Sequence, residues 1–161
     1  MKNEELIKYA LVGAGGYLLY NHFTNPKPKT TPKAFLDKWL STVATGDPGR
    51  VTSLYADDAI LLPTVSSDIA VGKNNIKLYF DTFLLQSPVG VVNDLYTRLE
   101  DKGNIAIIDG NYTFTLTGPT AVVGDVPNAE QTVVPARFTF VLKNVNGDWK
   151  ILTQHSSVKP E

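Results

Sequence analysis

A chain of 161 residues with 43% hydrophobic and 19% charged residues has the composition of one globular domain with an appendage. Its formal net charge of −1, with basic residues scattered rather than striped, excludes an electrostatic footprint for nucleic acid. The absence of cysteine excludes disulfides, thiolate metal sites and a cysteine nucleophile, and two histidines, His22 and His155, cannot build a three-histidine zinc site. Hydration or hydrolysis by this chain is therefore expected to run without a metal or cofactor.

Residues 6–23 form the most apolar run, with Lys8 its only charge. The uninterrupted part, Tyr9 to Tyr20, is twelve residues, short of the roughly 20 a spanning helix needs. A snorkelling Lys8 and the tyrosines at both ends extend the usable length to about 18. A membrane anchor helix over residues 1–23 is the expectation. A helix docked on a protein partner and a signal segment are the alternatives, the latter weakened by a near-neutral start and no small-residue cleavage site. Lys27, Lys29 and Lys33 then put the domain on the cytoplasmic side by the positive-inside rule. Residues 24–31, with Pro26, Pro28 and interspersed threonine and lysine, read as an extended, solvated linker.

The domain is expected over residues 32–161. Thr31-Pro32 is a helix start, with threonine at the cap and proline in the first helical position. Phe35, Leu36, Trp39, Leu40 and Val43 recur at helical spacing, and Gly46 ends the helix. Asp47-Pro48 opens a second, short helix through Val51, Leu54 and Tyr55. A short strand follows, ending near Pro63-Thr64. Asn74 or Asn75 is expected to cap a helix with Ile76, Tyr79, Phe80, Phe83 and Leu84 on one side.

The period then changes to two. Strands are expected over Val91 to Leu99, Asn104 to Leu116, Thr132 to Asn144 and Trp149 to Val158, separated by turn signals at Asp101-Lys102-Gly103, residues 118–128 and Asn146-Gly147. Helix, short helix, strand, helix and a four-strand antiparallel run make an α+β pattern, helices packed on one face of a curved sheet.

Strict alternation in the last strand puts Trp149, Ile151, Thr153, His155 and Ser157 on one side, an apolar start turning polar as if running from the core into a pocket. His155 is a candidate general base or anion donor, or else a structural strand histidine bonded to a carbonyl. Arg137 shares a face with Thr139 and Val141, opposite Ala136, Phe138, Phe140 and Leu142; it either pairs with a carboxylate such as Asp109 or holds an anion in a cavity. Tyr112 lies with Phe114 and Leu116, as core or as pocket wall.

Five segments carry a resemblance: residues 55–66 (Tyr-Ala-Asp-Asp-Ala-Ile-Leu-Leu-Pro-Thr-Val-Ser), Tyr79-Phe80, residues 109–115, residues 136–141 and His155-Ser156-Ser157 with Pro160. In order and type they resemble the association-domain branch of the nuclear transport factor 2-like superfamily, which includes the hub domain of calcium/calmodulin-dependent protein kinase II and the iota-class carbonic anhydrases. The resemblance implies a cone, a curved antiparallel sheet wrapped against helices with a pocket at its open end, and pairing of such domains through their sheets into a homodimer or larger ring. Its iota-class form implies metal-free, reversible hydration of carbon dioxide, with Thr64, Tyr79, His155 and Ser157 lining a bicarbonate pocket; Tyr112 and Arg137 are added from face and position. Gln154 departs from the pattern, standing where the family often has a second histidine, and residues 68–75 do not follow it.

Three functions follow as expectations. The first is a membrane-tethered, metal-free carbonic anhydrase-like enzyme. The second is a non-catalytic anchored scaffold that dimerises, or a structural subunit of a larger assembly. The third, a cyclase or isomerase, wants an acidic partner for His155 that the chain does not offer.

Overall fold

A computed structural model of the protein describes residues 25–64, 66–118 and 131–160. The expected anchor over residues 1–23 lies outside the described residues. Among those described, no helix is long and apolar enough to cross a membrane.

Helix α1 (Pro32–Val43) starts as its sequence predicts: the Thr31 hydroxyl accepts the Ala34 amide at 3.2 Å and proline occupies the first position. It buries Phe35, Leu36, Trp39, Leu40 and Val43. Helix α2 (Pro48–Thr52) is capped by the Asp47 carboxylate, which accepts the Arg50 amide at 3.0 Å. Strand β1 (Tyr55–Leu62) leads to a two-residue strand, β2 (Ala70–Val71), and then helix α3 (Gly72–Phe83). Neither asparagine caps α3. Val71 stands at its cap, and Asn75 instead donates its amide back to the Val71 carbonyl at 2.9 Å, one turn inside the helix.

Strands β3 (Val89–Glu100), β4 (Ile105–Leu116), β5 (Thr132–Val145) and β6 (Asp148–Val158) follow as an antiparallel meander. The sheet order is β2-β1-β6-β5-β4-β3, with β1 joined to β6 in parallel. Asn146 and Gly147, at φ of 55° and 89°, make the two-residue turn whose left-handed backbone matches strand twist. Ala106, Ile108, Tyr112, Phe114, Phe138, Phe140 and Leu142 face the helices. Trp39 is their hub, edge-on to Phe140 at 5.1 Å and Phe114 at 6.3 Å. This is the expected α+β cone, helices on the concave side of a curved sheet.

Two findings depart from expectation. The first is that residues 25–31, largely exposed as expected of a solvated linker, are fastened to the domain rather than free. They form a strap along the β5–β6 turn. The Lys29 amide donates to the Gly147 carbonyl at 2.8 Å and the Trp149 indole N–H to the Thr30 carbonyl at 2.8 Å. Asn144, 1% exposed, joins the pieces: its side-chain amide donates to the Pro26 carbonyl at 2.6 Å, and its Oδ1 accepts the Gly147 amide at 2.8 Å.

The second concerns the faces of β6. Val141 pairs with Thr153, but the next position, Leu142, pairs with Ile151, so Leu152 is an extra residue. This β-bulge reverses the alternation beyond it. Trp149, Ile151, Gln154 and Ser156 are buried together, whereas His155 is exposed and Ser157 half-exposed on the other face. The expected grouping of Trp149 and Ile151 with Thr153, His155 and Ser157 is overturned by that one residue.

Candidate functional site

Where β1, β4 and β6 end and β5 begins, aromatic side chains of α1, α3 and β4 line a small, partly open cavity of about 30 Å³. Thr64, Tyr79 and Tyr112, three of the six candidates, line it, together with Gln154 and Ser156. Thr64 is brought there by the end of β1, Tyr79 by the sheet-facing side of α3, and Tyr112 by the buried face of β4. Pro63, Tyr79 and Phe83 also wall an outer groove of about 520 Å³, so Tyr79 stands between cavity and solvent.

The polar groups form two linked sets. The Trp39 indole N–H donates to the Tyr55 hydroxyl at 3.2 Å, and that hydroxyl donates to Gln154 Oε1. The Tyr112 hydroxyl donates to Ser156 Oγ at 2.5 Å, and Ser156 shares a hydrogen bond with Thr64. Burial raises the pKa of all three tyrosines. Tyr55 and Tyr79 lie well above the ordinary phenol value, and Tyr112 is pushed up to about 12 although hydrogen bonds with Ser156, Thr64 and Gln154 pull it down. At neutral pH all three are phenols, donors rather than bases.

His155, Ser157 and Arg137 lie on the convex face of the sheet. His155 sits opposite Thr139, exposed, and the Arg137 guanidinium reaches Ser157 Oγ at 3.4 Å. Asp109, the carboxylate considered for Arg137, is engaged elsewhere: it accepts from Arg98 at 2.9 Å and from the Thr139 hydroxyl at 2.7 Å. The expectation that Arg137, His155 and Ser157 share a pocket with Thr64 and Tyr79 is therefore corrected; the β6 bulge carries the neighbouring Gln154 and Ser156 inward instead. Sequence reasoning missed that pair, together with Tyr55 and Trp39 as polar partners. One signal existed: adjacent Ile151 and Leu152 break strict alternation and mark a phase change.

The concave pocket under a curved sheet and three helices defines a nuclear transport factor 2-like domain. Solved structures agree on the fold: an NTF2-like protein from Pseudomonas putida KT2440 (TM-score 0.62, 16% identity, 80% of this chain and 84% of that one) and a ketosteroid isomerase-like protein from Erwinia carotovora atroseptica (TM-score 0.63, 16% identity, 80% and 94%). Within that class the chain belongs to the calcium/calmodulin dependent protein kinase II association domain family, whose sequence profile matches residues 32–160. A structure from Xanthomonas campestris described as such an association domain is 37% identical, with a TM-score of 0.72 over 86% of this chain and 99% of that one. A comparison with curated proteins finds no match.

Proposed function

We propose that this chain is a self-associating domain whose cavity takes up carbon dioxide and hydrates it reversibly without a metal, tethered to a membrane through residues 6–23 with the domain on the cytoplasmic side. The observation that carries the reading is the convergence of Thr64, Tyr79, Tyr112, Gln154 and Ser156 on one cavity fit for a guest of a few atoms. Apolar walls suit an uncharged linear substrate, and hydroxyl and amide donors suit the oxygens that gain charge as water adds.

The proton balance follows from the groups present. Water oxygen bonds to the carbon of carbon dioxide. Thr64 Oγ takes a proton from that water and gives its own to a carbon dioxide oxygen, so the first product is carbonic acid, which ionises to bicarbonate in solvent. A hydroxyl relay with no ionised base gives a modest catalyst. Self-association is supported by the family and by the convex face of the sheet. That face exposes Val89, Val91, Tyr96 and Val133 beside both signs of charge, Arg98 and Arg137 with Asp94 and Asp109, a mixture a second copy can complement across a two-fold axis.

Stopped-flow hydration by the full chain in detergent, with chelator and with zinc added, tests this. Activity is expected to be indifferent to zinc and to fall at least about tenfold in Ser156→Ala and Thr64→Val, while His155→Ala and Ser157→Ala retain it. Loss of activity in His155→Ala alone would overturn the site. A second reading, a non-catalytic anchored hub, is favoured by one observation: no histidine, carboxylate or ammonium of the described residues lines the cavity. A flat trace from folded oligomer selects it.

A further inference from the structure

The hydrogen bonds of the cavity wall have a direction, because one member cannot accept. An indole N–H is donor only. Trp39 donates to Tyr55, so the Tyr55 proton is left to donate to Gln154 Oε1. An amide whose oxygen is held by Tyr55 must turn its nitrogen the other way, towards Tyr112 and the cavity. Gln154 is 3% exposed, and among the described residues none accepts from its Nε2 in a formed hydrogen bond, yet no fully buried side-chain nitrogen or oxygen lacks a partner. Its NH2 group therefore meets the cavity space itself. Gln154 is also among the groups that lower the Tyr112 pKa, as a donor to that oxygen does. Beyond it, Tyr112 donates to Ser156, and Ser156 and Thr64 share a hydrogen bond in which either hydroxyl can donate.

We propose that Trp39 and Tyr55 are positioning residues that orient the Gln154 amide, so that it turns its NH2, a pure donor, to the cavity beside the Thr64 and Tyr79 hydroxyls. The guest is then a small molecule that brings an acceptor oxygen to that NH2, such as carbon dioxide or bicarbonate through its unprotonated oxygens. This deepens the pocket reading above and rests on it for the identity of the guest, but the direction of the wall is a property of the empty protein.

The test separates the two. In guest-free protein labelled with 15N, nuclear Overhauser contacts from the Gln154 Hε2 protons are expected to the Tyr112 and Tyr79 rings and not to the Tyr55 ring. In Tyr55→Phe, where the amide is released, both sets are expected. Contacts to Tyr55 alone in the unmodified protein would overturn the proposal. Titration with 13C-bicarbonate is expected to show binding that weakens about tenfold in Tyr55→Phe and is abolished in Gln154→Glu, which presents acceptors; equal affinity in all three would also overturn it. If bicarbonate fails to bind the unmodified protein while the amide faces Tyr112, the carbon dioxide reading falls and the oriented wall stands.

Discussion

Replacing Asn144 with alanine tests the strap. The side chain makes three bonds within reach of solvent only at their edges: to the Pro26 carbonyl at 2.6 Å, to Asn104 Oδ1 at 3.2 Å and from the Gly147 amide at 2.8 Å. Truncation leaves the buried Gly147 amide without its acceptor. A buried group left unpaired costs about 1–3 kcal/mol, and each further net bond about 1 kcal/mol. Water enters this end of the sheet more readily than the core, which offsets part of the sum. The expected loss is about 3 kcal/mol, read as a lower urea midpoint with unchanged m-value. Because the lost bonds hold the strap, trypsin is also expected to cut after Lys29 faster than global unfolding allows. Asn25→Ala is the milder companion. It removes an exposed side chain that bonds the Asn144 carbonyl at 2.7 Å and the Asn146 amide at 2.9 Å, and about 1 kcal/mol is expected. A loss below about 1 kcal/mol in Asn144→Ala, with an unchanged rate of cutting at Lys29, would refute the reasoning and return residues 25–31 to a free tether.

Three other outcomes are expected. Gly110→Ala puts a methyl group 2.1 Å from the Asp94 carbonyl oxygen and 2.8 Å from the Phe138 ring; since main chain is slow to yield, a loss of about 3 kcal/mol or more is expected in thermal or urea unfolding. Tyr55, Tyr79 and Tyr112 have folded pKa values above their unfolded values; their contribution is fully present below about pH 10 and is lost as pH rises through the folded values, at about 1.4 kcal/mol per pH unit for each titrating phenol. Urea midpoints from pH 7 to 11 check this, and a midpoint that rises above pH 10 contradicts it. Tyr96→Arg adds a charge on the convex side of the edge strand β3, where Tyr96 is 69% exposed and paired in register with Asp109; light scattering is expected to show dissociation, and an unchanged mass would move the self-association surface elsewhere.

The parts of the fold visible in the sequence are those with local causes. The Thr31-Pro32 cap, the spacing of Phe35 to Val43, the Asn146-Gly147 turn and the alternation of β4 and β5 each act within a few residues, and each forms where expected. The strap was not visible, because its anchor, Asn144, is an ordinary polar residue until Pro26 and Gly147 arrive beside it. Half of the candidate site was visible. Tyr112 lies on β4, whose alternation holds from end to end, Tyr79 on the helical spacing of α3, and Thr64 just beyond the end of β1. His155 and Ser157 were assigned across Leu152, and period two cannot be carried across an inserted residue. Arg137 was assigned to the right face, but a face has no sign in sequence: only the packed structure tells which side of the sheet the helices cover.

The parallel pairing of β1 with β6 bears on the order in which the molecule assembles. Helices α1 and α2 and the β3–β4 hairpin involve neighbours in the chain, but the contacts that close the cavity do not. Thr64 meets Ser156 across 92 residues, and Tyr55 meets Gln154 across 99. Loop-closure entropy makes such contacts late. During synthesis β1 has no strand on its β6 side until the last strand has emerged, and until then its edge is open to other nascent chains. The cavity is thus the final product of folding, and a ribosome-bound chain halted before residue 148 would lack β6 and with it the Gln154 and Ser156 wall.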